Sequence, residues 1–288
     1  MKVLFLFIDG LGLAPPSEDN LVNPENCPVL CDLIERHSVP IDACLGVPGL
    51  PQSASGQTTL FTGVNASRAV GRHVEGFPGP SLKRIVETDN LFLQLERRQM
   101  RCRFANAYLA NSTEEIAARR FQSVTTTMAL TRPGTISLHS DLLANNAVCQ
   151  DITRESLLDR GHTGAPVEPA AAASHLIQLA LAYDLTLFEY FQTDRAGHSG
   201  DPARATDVLR LLDAFLGTLV PKSKAHGMLF VLTSDHGNIE NMATRTHTFH
   251  PVPLIAIGPG SERLLKEAKS LLDITPLLVE LLTGRPMS

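Results

Sequence analysis

The segment Val3-Leu4-Phe5-Leu6-Phe7-Ile8-Asp9-Gly10-Leu11-Gly12 decides the fold. A continuous apolar run closed by Asp-Gly-Leu-Gly is the pattern of a strand buried on both faces that delivers a residue at its carboxyl end. Ligands of open α/β sheets gather beyond that end, so Asp9 stands at a candidate site. Three later segments have the same form. Leu185 to Phe191 precedes Thr193-Asp194, Met228 to Leu232 precedes Thr233-Ser234-Asp235-His236, and Val252 to Ile257 ends in Gly258-Pro259-Gly260.

Helix patterns lie among these runs. One covers Pro169 to Ala182, with the proline in the first turn, a second covers Ala203 to Leu219, and a third covers Asp273 to Leu282 with Asp273 as N-cap. Strands alternating with helices predict an α/β fold, a mostly parallel sheet sandwiched by helices. Residues 71–162 read differently, with polar helix patterns and strand-like runs at Arg101 to Leu109 and Ser123 to Met128. Ser112-Thr113-Glu114-Glu115 fits a capping box opening a helix that ends near Phe121. The expected organisation is a core domain of residues 1–70 and 163–288 with a small α+β cap, 71–162, inserted between; the alternative is that this stretch continues the main sheet. No internal repeat or low-complexity segment interrupts the chain.

At 288 residues and 43% hydrophobic, the chain can bury a sizeable core. A net charge of −5 without a long basic run argues against a non-specific nucleic-acid binder or a polybasic membrane binder. Cys27, Cys31, Cys44, Cys102 and Cys149 are odd in number and lack C-x-x-C pairs, so they read as reduced, buried or inert thiols. The first apolar run is too short for a signal segment and lacks a cleavage site, and no stretch reaches the ~18 apolar residues of a membrane span. The expectation is a soluble, cytoplasmic protein.

Asp194-Arg195-Ala196-Gly197-His198 sets a carboxylate and an imidazole four residues apart just past a predicted strand. Asp235-His236 follows another strand, and Gly237 permits the sharp turn needed for both to face one ion. His247 precedes a further strand. Each of these residues alone is more often a turn, cap or surface residue than a ligand. Together, three Asp and three His at strand edges form an O/N donor set suited to zinc or manganese rather than calcium, which prefers oxygen shells.

Gly49-Leu50-Pro51-Gln52-Ser53-Ala54-Ser55-Gly56-Gln57-Thr58-Thr59-Leu60-Phe61-Thr62-Gly63 adds a nucleophile candidate. Proline and small residues give way to a helix pattern there, placing Ser53 at or near a helix N-terminus that favours a bound phosphate. A serine hydroxyl is a poor nucleophile at neutral pH unless a base or metal activates it. Absent the metal set, a capping role for Ser53 is the better reading.

These residues resemble the alkaline phosphatase superfamily, most closely its cofactor-independent phosphoglycerate mutase branch, over about residues 1–70 and 180–288. Thr233-Ser234-Asp235-His236-Gly237-Asn238-Ile239-Glu240-Asn241-Met242 is similar to the branch's Asp-His-Gly-Asn block, and His247-Thr248 with Pro251-Val252-Pro253 to its His-Thr and Val-Pro block. Asp194 and His198 match its Asp-x-x-x-His pair, Asp9 its first-strand aspartate, and Asp273-Ile274-Thr275-Pro276 its closing helix. Ser53, ten residues before Gly63, takes the nucleophile's place; Gln57 stands where the mutases have histidine.

The resemblance implies an alkaline-phosphatase-like core and two divalent ions, Zn2+ or Mn2+. Asp194, His198 and His247 would bind one, and Asp9, Ser53, Asp235 and His236 the other. It further implies phosphoryl transfer through phospho-Ser53 from a small anionic metabolite, as phosphomonoesterase or phosphomutase. The alternatives are a phosphodiesterase or related ester hydrolase of the same superfamily and a catalytically silent metal-binding or regulatory homologue. Arg68, Arg72, His73, Lys83 and Arg84 follow the nucleophile helix and are candidates to clamp substrate, although such residues are more often solvated charge. His250 is a candidate supporting group or spare ligand.

Overall fold

A computed structural model describes residues 1–284. Its sheet has six strands in the order β2-β6-β5-β1-β4-β3. They are β1 (Val3–Ile8), β2 (Ser38–Ile41), β3 (Cys102–Phe104), β4 (Leu185–Tyr190), β5 (Leu229–Ser234) and β6 (Val252–Ile257). β1 pairs in parallel with β4 and β5, and β3 with β4; β6 is antiparallel to both β5 and β2, so it alone opposes the other five.

β1 lies at the centre because all six of its residues have apolar surroundings to fill. Val3, Phe5 and Phe7 point into one core with Leu60, Phe61, Leu187 and Val231, while Leu4, Leu6 and Ile8 point into a second with Leu176, Leu209, Phe215 and Phe230. Each such fully buried side chain contributes ~1.5–3 kcal/mol relative to exposure. The helices Pro169–Ala180 and Pro202–Ala225 cover the second face, the former with its proline in the first turn as expected.

The register fixes the site. Ile8 pairs with Tyr190 on one side and with Ser234 on the other, so β1, β4 and β5 end level. Asp9, Asp194 and Asp235 follow those ends. Because β6 runs the other way, its beginning shares this edge: Leu254 pairs with Thr233, and His247 to His250 enter from there. The Gly258-Pro259-Gly260 turn at its far end belongs to the opposite edge.

Residues 71–162 depart from expectation in several places. β3 pairs with β4, and Leu91, Phe92, Phe104, Val124 and Met128 share the core that holds Phe5 and Phe7. That part of the stretch continues the main sheet. The strand expected over Ser123 to Met128 is instead the helix Val124–Leu130. Its β-branched Val-Thr-Thr-Thr run suggests a strand, but the Ser123 hydroxyl accepts the Thr126 N–H (3.1 Å) and Thr127 Oγ1 bonds back to the Ser123 carbonyl (2.9 Å). Local capping and burial outweigh a propensity of a few tenths of a kcal/mol. The run Arg101 to Leu109 forms only the three-residue β3.

Two helix boundaries shift as well. Ser112 caps the helix Thr113–Ala117, which stops short of Phe121, and the Glu115 carboxylate accepts from Asn111 N–H. Asp273 precedes the helix Ile274–Thr283, yet its carboxylate accepts from Lys269 and Ser270 N–H and so closes the turn before the helix. All five cysteines are free, and burial pushes Cys102 and Cys149 up to about 12. Among the described residues no helix is long and apolar enough to cross a membrane.

Candidate metal centre

Asp9 leaves β1 into a tight turn. Gly10 follows at φ +76°, and an added Cβ would lie 2.9 Å from Asp194 Cα, so the position requires glycine for both conformation and space. Leu11 N–H bonds to Ser234 Oγ (2.9 Å), and Thr193 Oγ1 donates to the Asp9 carbonyl (2.5 Å), tying the three strand ends together. Gly237, expected to permit a sharp turn, serves another need. It is not among the positive-φ glycines; a Cβ there would meet Thr248 Oγ1 and Glu240 Oε1, so glycine serves close packing.

Two donor groups form at this edge. Asp194, His198 and His247 bring their ligand atoms within 4.8 Å of one another, and so do Asp9, Asp194 and His236. In the first, His198 Nδ1 donates to the Arg245 carbonyl (2.6 Å) and His247 Nδ1 to the Pro51 carbonyl (2.8 Å). Those acceptors assign the ring protons to Nδ1. The two Nε2 atoms then face each other at 3.0 Å, with Asp194 Oδ1 3.4 Å from each. Such convergence of lone pairs calls for a cation or an extra proton between them. In the second group, the buried Asp9 Oδ1 has no hydrogen-bond partner, although His236 Nε2 is 3.2 Å away. An orphaned buried carboxylate oxygen beside an imidazole fits a metal-ligand pair.

Ser53 opens the helix Ser53–Thr62, its hydroxyl 2.9 Å from His236 Nε2. One turn on, Gln57 Nε2 donates to Asp9 Oδ2 (3.1 Å) and Asp235 Oδ2 (3.0 Å). Asp235 is fully buried and lies 3.6 Å from His236 Nε2. The second donor group therefore contains Asp194, while the Asp235 carboxylate is held by Gln57.

Electrostatics reflect this crowding. Burial disfavours a charged His236, but Asp235, Asp9 and Asp194 outweigh it and lift its pKa to about 10. Burial likewise opposes ionisation of Asp194, yet His247, His236, Asn238 and His198 hold it down at about 2. Burial raises Asp9, and burial with the Asp9 charge raises Asp235 further. The proton that His236 carries in a metal-free site answers the same negative potential that would hold a divalent ion.

A supporting layer lies behind the donors. Asn238 Nδ2 donates to Asp194 Oδ1 (2.7 Å). The buried Glu240 carboxylate accepts from Gly12 N–H (2.9 Å), Asn238 N–H (2.7 Å), Thr248 Oγ1 (2.5 Å) and His250 Nδ1 (3.1 Å). His250 is thus a supporting group. Sequence reasoning quoted Asn238 and Glu240 within a motif but gave them no role; the signal was polar residues expected to lie at a buried turn.

A cavity of about 270 Å³ opens over Ser53, lined also by Asp9, Gln57, Asp194, Phe77, Glu189 and Arg195. Of the five basic candidates, none lines it. His73 is bonded to Ser67 Oγ and the Val47 carbonyl, Lys83 to Gln122, and Arg68, Arg72 and Arg84 are exposed. The cationic residue at the cavity is Arg195, beside a metal-ligand candidate, where only its position after a strand end could have singled it out. Glu189, five residues before Asp194 on β4, was also missed; burial and then the Asp9 charge push it up to about 8 against a hydrogen bond from Thr125 Oγ1 (2.7 Å).

Residues 1–285 match the family model described as Metalloenzyme superfamily. The chain belongs to that superfamily. Divalent metal binding is therefore a property of its family, in accord with the two donor groups. Among curated relatives, a 2,3-bisphosphoglycerate-independent phosphoglycerate mutase of Halobacterium salinarum is 33% identical over 127 residues, 41% of this chain and 25% of the mutase. The chain spans about a quarter of the length of such relatives. Among solved structures, the PH0037 protein from Pyrococcus horikoshii aligns over 100% of this chain and 98% of its own, with TM-score 0.61 and 16% identity. Alkaline phosphatase from the Antarctic bacterium TAB5 aligns over 99% and 98%, with TM-score 0.52 and 13% identity. At those identities the likeness is one of fold, and it agrees with the mixed, mostly parallel sheet flanked by helices. The superfamily resemblance carried by the sequence motifs stands.

Proposed function

We propose that this member of the metalloenzyme superfamily transfers phosphoryl groups from small anionic phosphomonoesters through phospho-Ser53. The observation that carries the reading is the Ser53 hydroxyl at a helix N-terminus, 2.9 Å from His236 and in one cavity with Asp9 and Asp194. Asp194, His198 and His247 would hold one divalent ion, and Asp9, Ser53 and His236, with Asp235 or Asp194, the second. Zinc or manganese there supplies Lewis acidity toward the phosphoryl oxygens and lowers the pKa of the serine hydroxyl.

The chain's own residues do the rest. Ser53 Oγ forms the new P–O bond as the ester P–O bond breaks, and the serine proton leaves with the alcohol product. The N–H groups of the first helical turn favour the phosphoryl charge, and the Arg195 guanidinium suits two phosphoryl oxygens. Gln57 keeps two carboxylates apart and oriented. Water as acceptor then frees inorganic phosphate and restores Ser53; a second hydroxyl of retained substrate makes the reaction a mutase step. The stretch 71–162, which contributes Gly76, Phe77 and Ser123 to the cavity wall, would act as its cover.

Ser53→Ala tests the proposal. Metal-loaded wild-type protein given a phosphomonoester should yield an acid-trapped phosphoenzyme; the variant should yield none, with metal content by elemental analysis largely unchanged. Undiminished turnover by the variant refutes the nucleophile. Monoester and diester chromogens, followed by a screen of phosphorylated metabolites, separate phosphatase, diesterase and mutase outcomes.

A further inference from the structure

A second cavity, about 350 Å³, adjoins the one over Ser53, and Ser123, Glu189 and Phe191 line both. Its walls include Phe104 and Tyr108, and two guanidinium groups reach it from separate elements. Arg119 follows the helix Thr113–Ala117 and lies over the Tyr108 ring at 5.6 Å, with one nitrogen on the Leu109 carbonyl (3.3 Å). Arg160 closes the 3-10 turn Glu155–Arg160. Neither forms an ion pair among the described residues, and the neighbouring Asn106 and Gln150 side chains are already engaged, Asn106 with the Glu189 backbone and Gln150 with Ser156.

Resting on the phosphoryl-transfer reading, we infer that this cavity is the leaving-group subsite and that it takes an elongated leaving group ending in an anion. Three features point there. The ester's leaving group must depart from Ser53 into space, and the shared residues make the second cavity its neighbour. The aromatic walls suit a carbon chain or ring, while two exposed guanidinium groups from different segments line the same cavity, and a guanidinium grips a carboxylate or phosphate in a bidentate fork. Finally, the volume of the second cavity alone is in the range of whole small-molecule sites, which start at about 300 Å³, so a three-carbon acid would leave it largely unfilled.

The test uses non-hydrolysable phosphonates with the metal-loaded full chain. Two series, plain alkylphosphonates and ω-carboxyalkylphosphonates of matched chain length, are titrated by calorimetry. The carboxylate should add little in the shortest members and at least tenfold in affinity beyond a threshold length. Arg119→Ala combined with Arg160→Ala should erase that gain while leaving the plain series within twofold, and Lys at both positions should restore part of it. A carboxylate effect already full at the shortest length, absent at every length, or indifferent to the double variant overturns the subsite. The chromogen and phosphorylated-metabolite screen is run alongside: no phosphoryl transfer from any member in the wild type would sink that reading, whereas the binding series reads the subsite independently.

Discussion

The carboxyl edge of the sheet and the stretch 71–162 share one cavity, yet they are held in place by different means. At the edge, β1, β4 and β5 end level, so one register places Asp9, Asp194 and Asp235 together. In the stretch, short helices of five to nine residues and the three-residue β3 are positioned by caps and by apolar side chains such as Phe92 and Met128 that reach into the core beneath β1. Chemistry that needs atoms within hydrogen-bond distance is placed on the first kind of scaffold; residues that face the rest of a substrate are placed on the second.

The strongest way to break this contrast is to remove the residue common to both donor groups. Asp194→Ala should abolish turnover and lower metal content at both groups, a loss well beyond the 10–100-fold that outer-layer changes cost. Elemental analysis and steady-state rates check it. Next, Phe7→Ala in β1 should destabilise the fold by ~3–5 kcal/mol, while Phe121→Ser on the exposed face of 71–162 should stay within about 0.5 kcal/mol, both read by urea unfolding.

Asn238→Ala should weaken metal binding by about 10–100-fold through a freed Asp194 carboxylate, with the fold unchanged. Metal affinity should also depend on pH with a definite sign. Below about 10, His236 in the metal-free protein carries a proton that an incoming ion must displace, so affinity rises with pH by up to about tenfold per unit. Calorimetry at pH 8 in two buffers of different ionisation enthalpy should detect the released proton. The smallest effect sharpens the comparison from the other side. Ser123→Ala should cost ~1 kcal/mol if a helix cap matters there, against nearly nothing in a strand.

Legibility in the sequence follows the same division. Val3–Ile8 and Val252–Ile257 are strands with the bounds their apolar runs predict, because burial on both faces leaves no other pattern. Asp9, Asp194 and Asp235 drew notice as ligand candidates because each follows such a run, and His247 because it precedes one. The direction of β6 was not, because an apolar run carries no mark of its orientation. Ser123 to Met128 misled because β-branched residues read as strand while the cap that decides the matter is one hydroxyl. Arg195, Glu189 and the arginines of the second cavity stayed hidden for a third reason. Convergence of side chains from distant segments is a property of the folded surface, and single charges in a sequence look alike whether they face solvent or substrate.

The reversed course of β6 has one more consequence. It makes the connection from Ser234 to Val252 leave and re-enter the sheet at the same edge, pinned part-way by the pairing of Gly237 with Thr248. Asp235, His236 and His247 all ride on that single excursion, so bound ions would act as rivets through a folded flap. Stripping them should loosen the flap while the strands beneath stay locked, making loss of activity a local and refillable event.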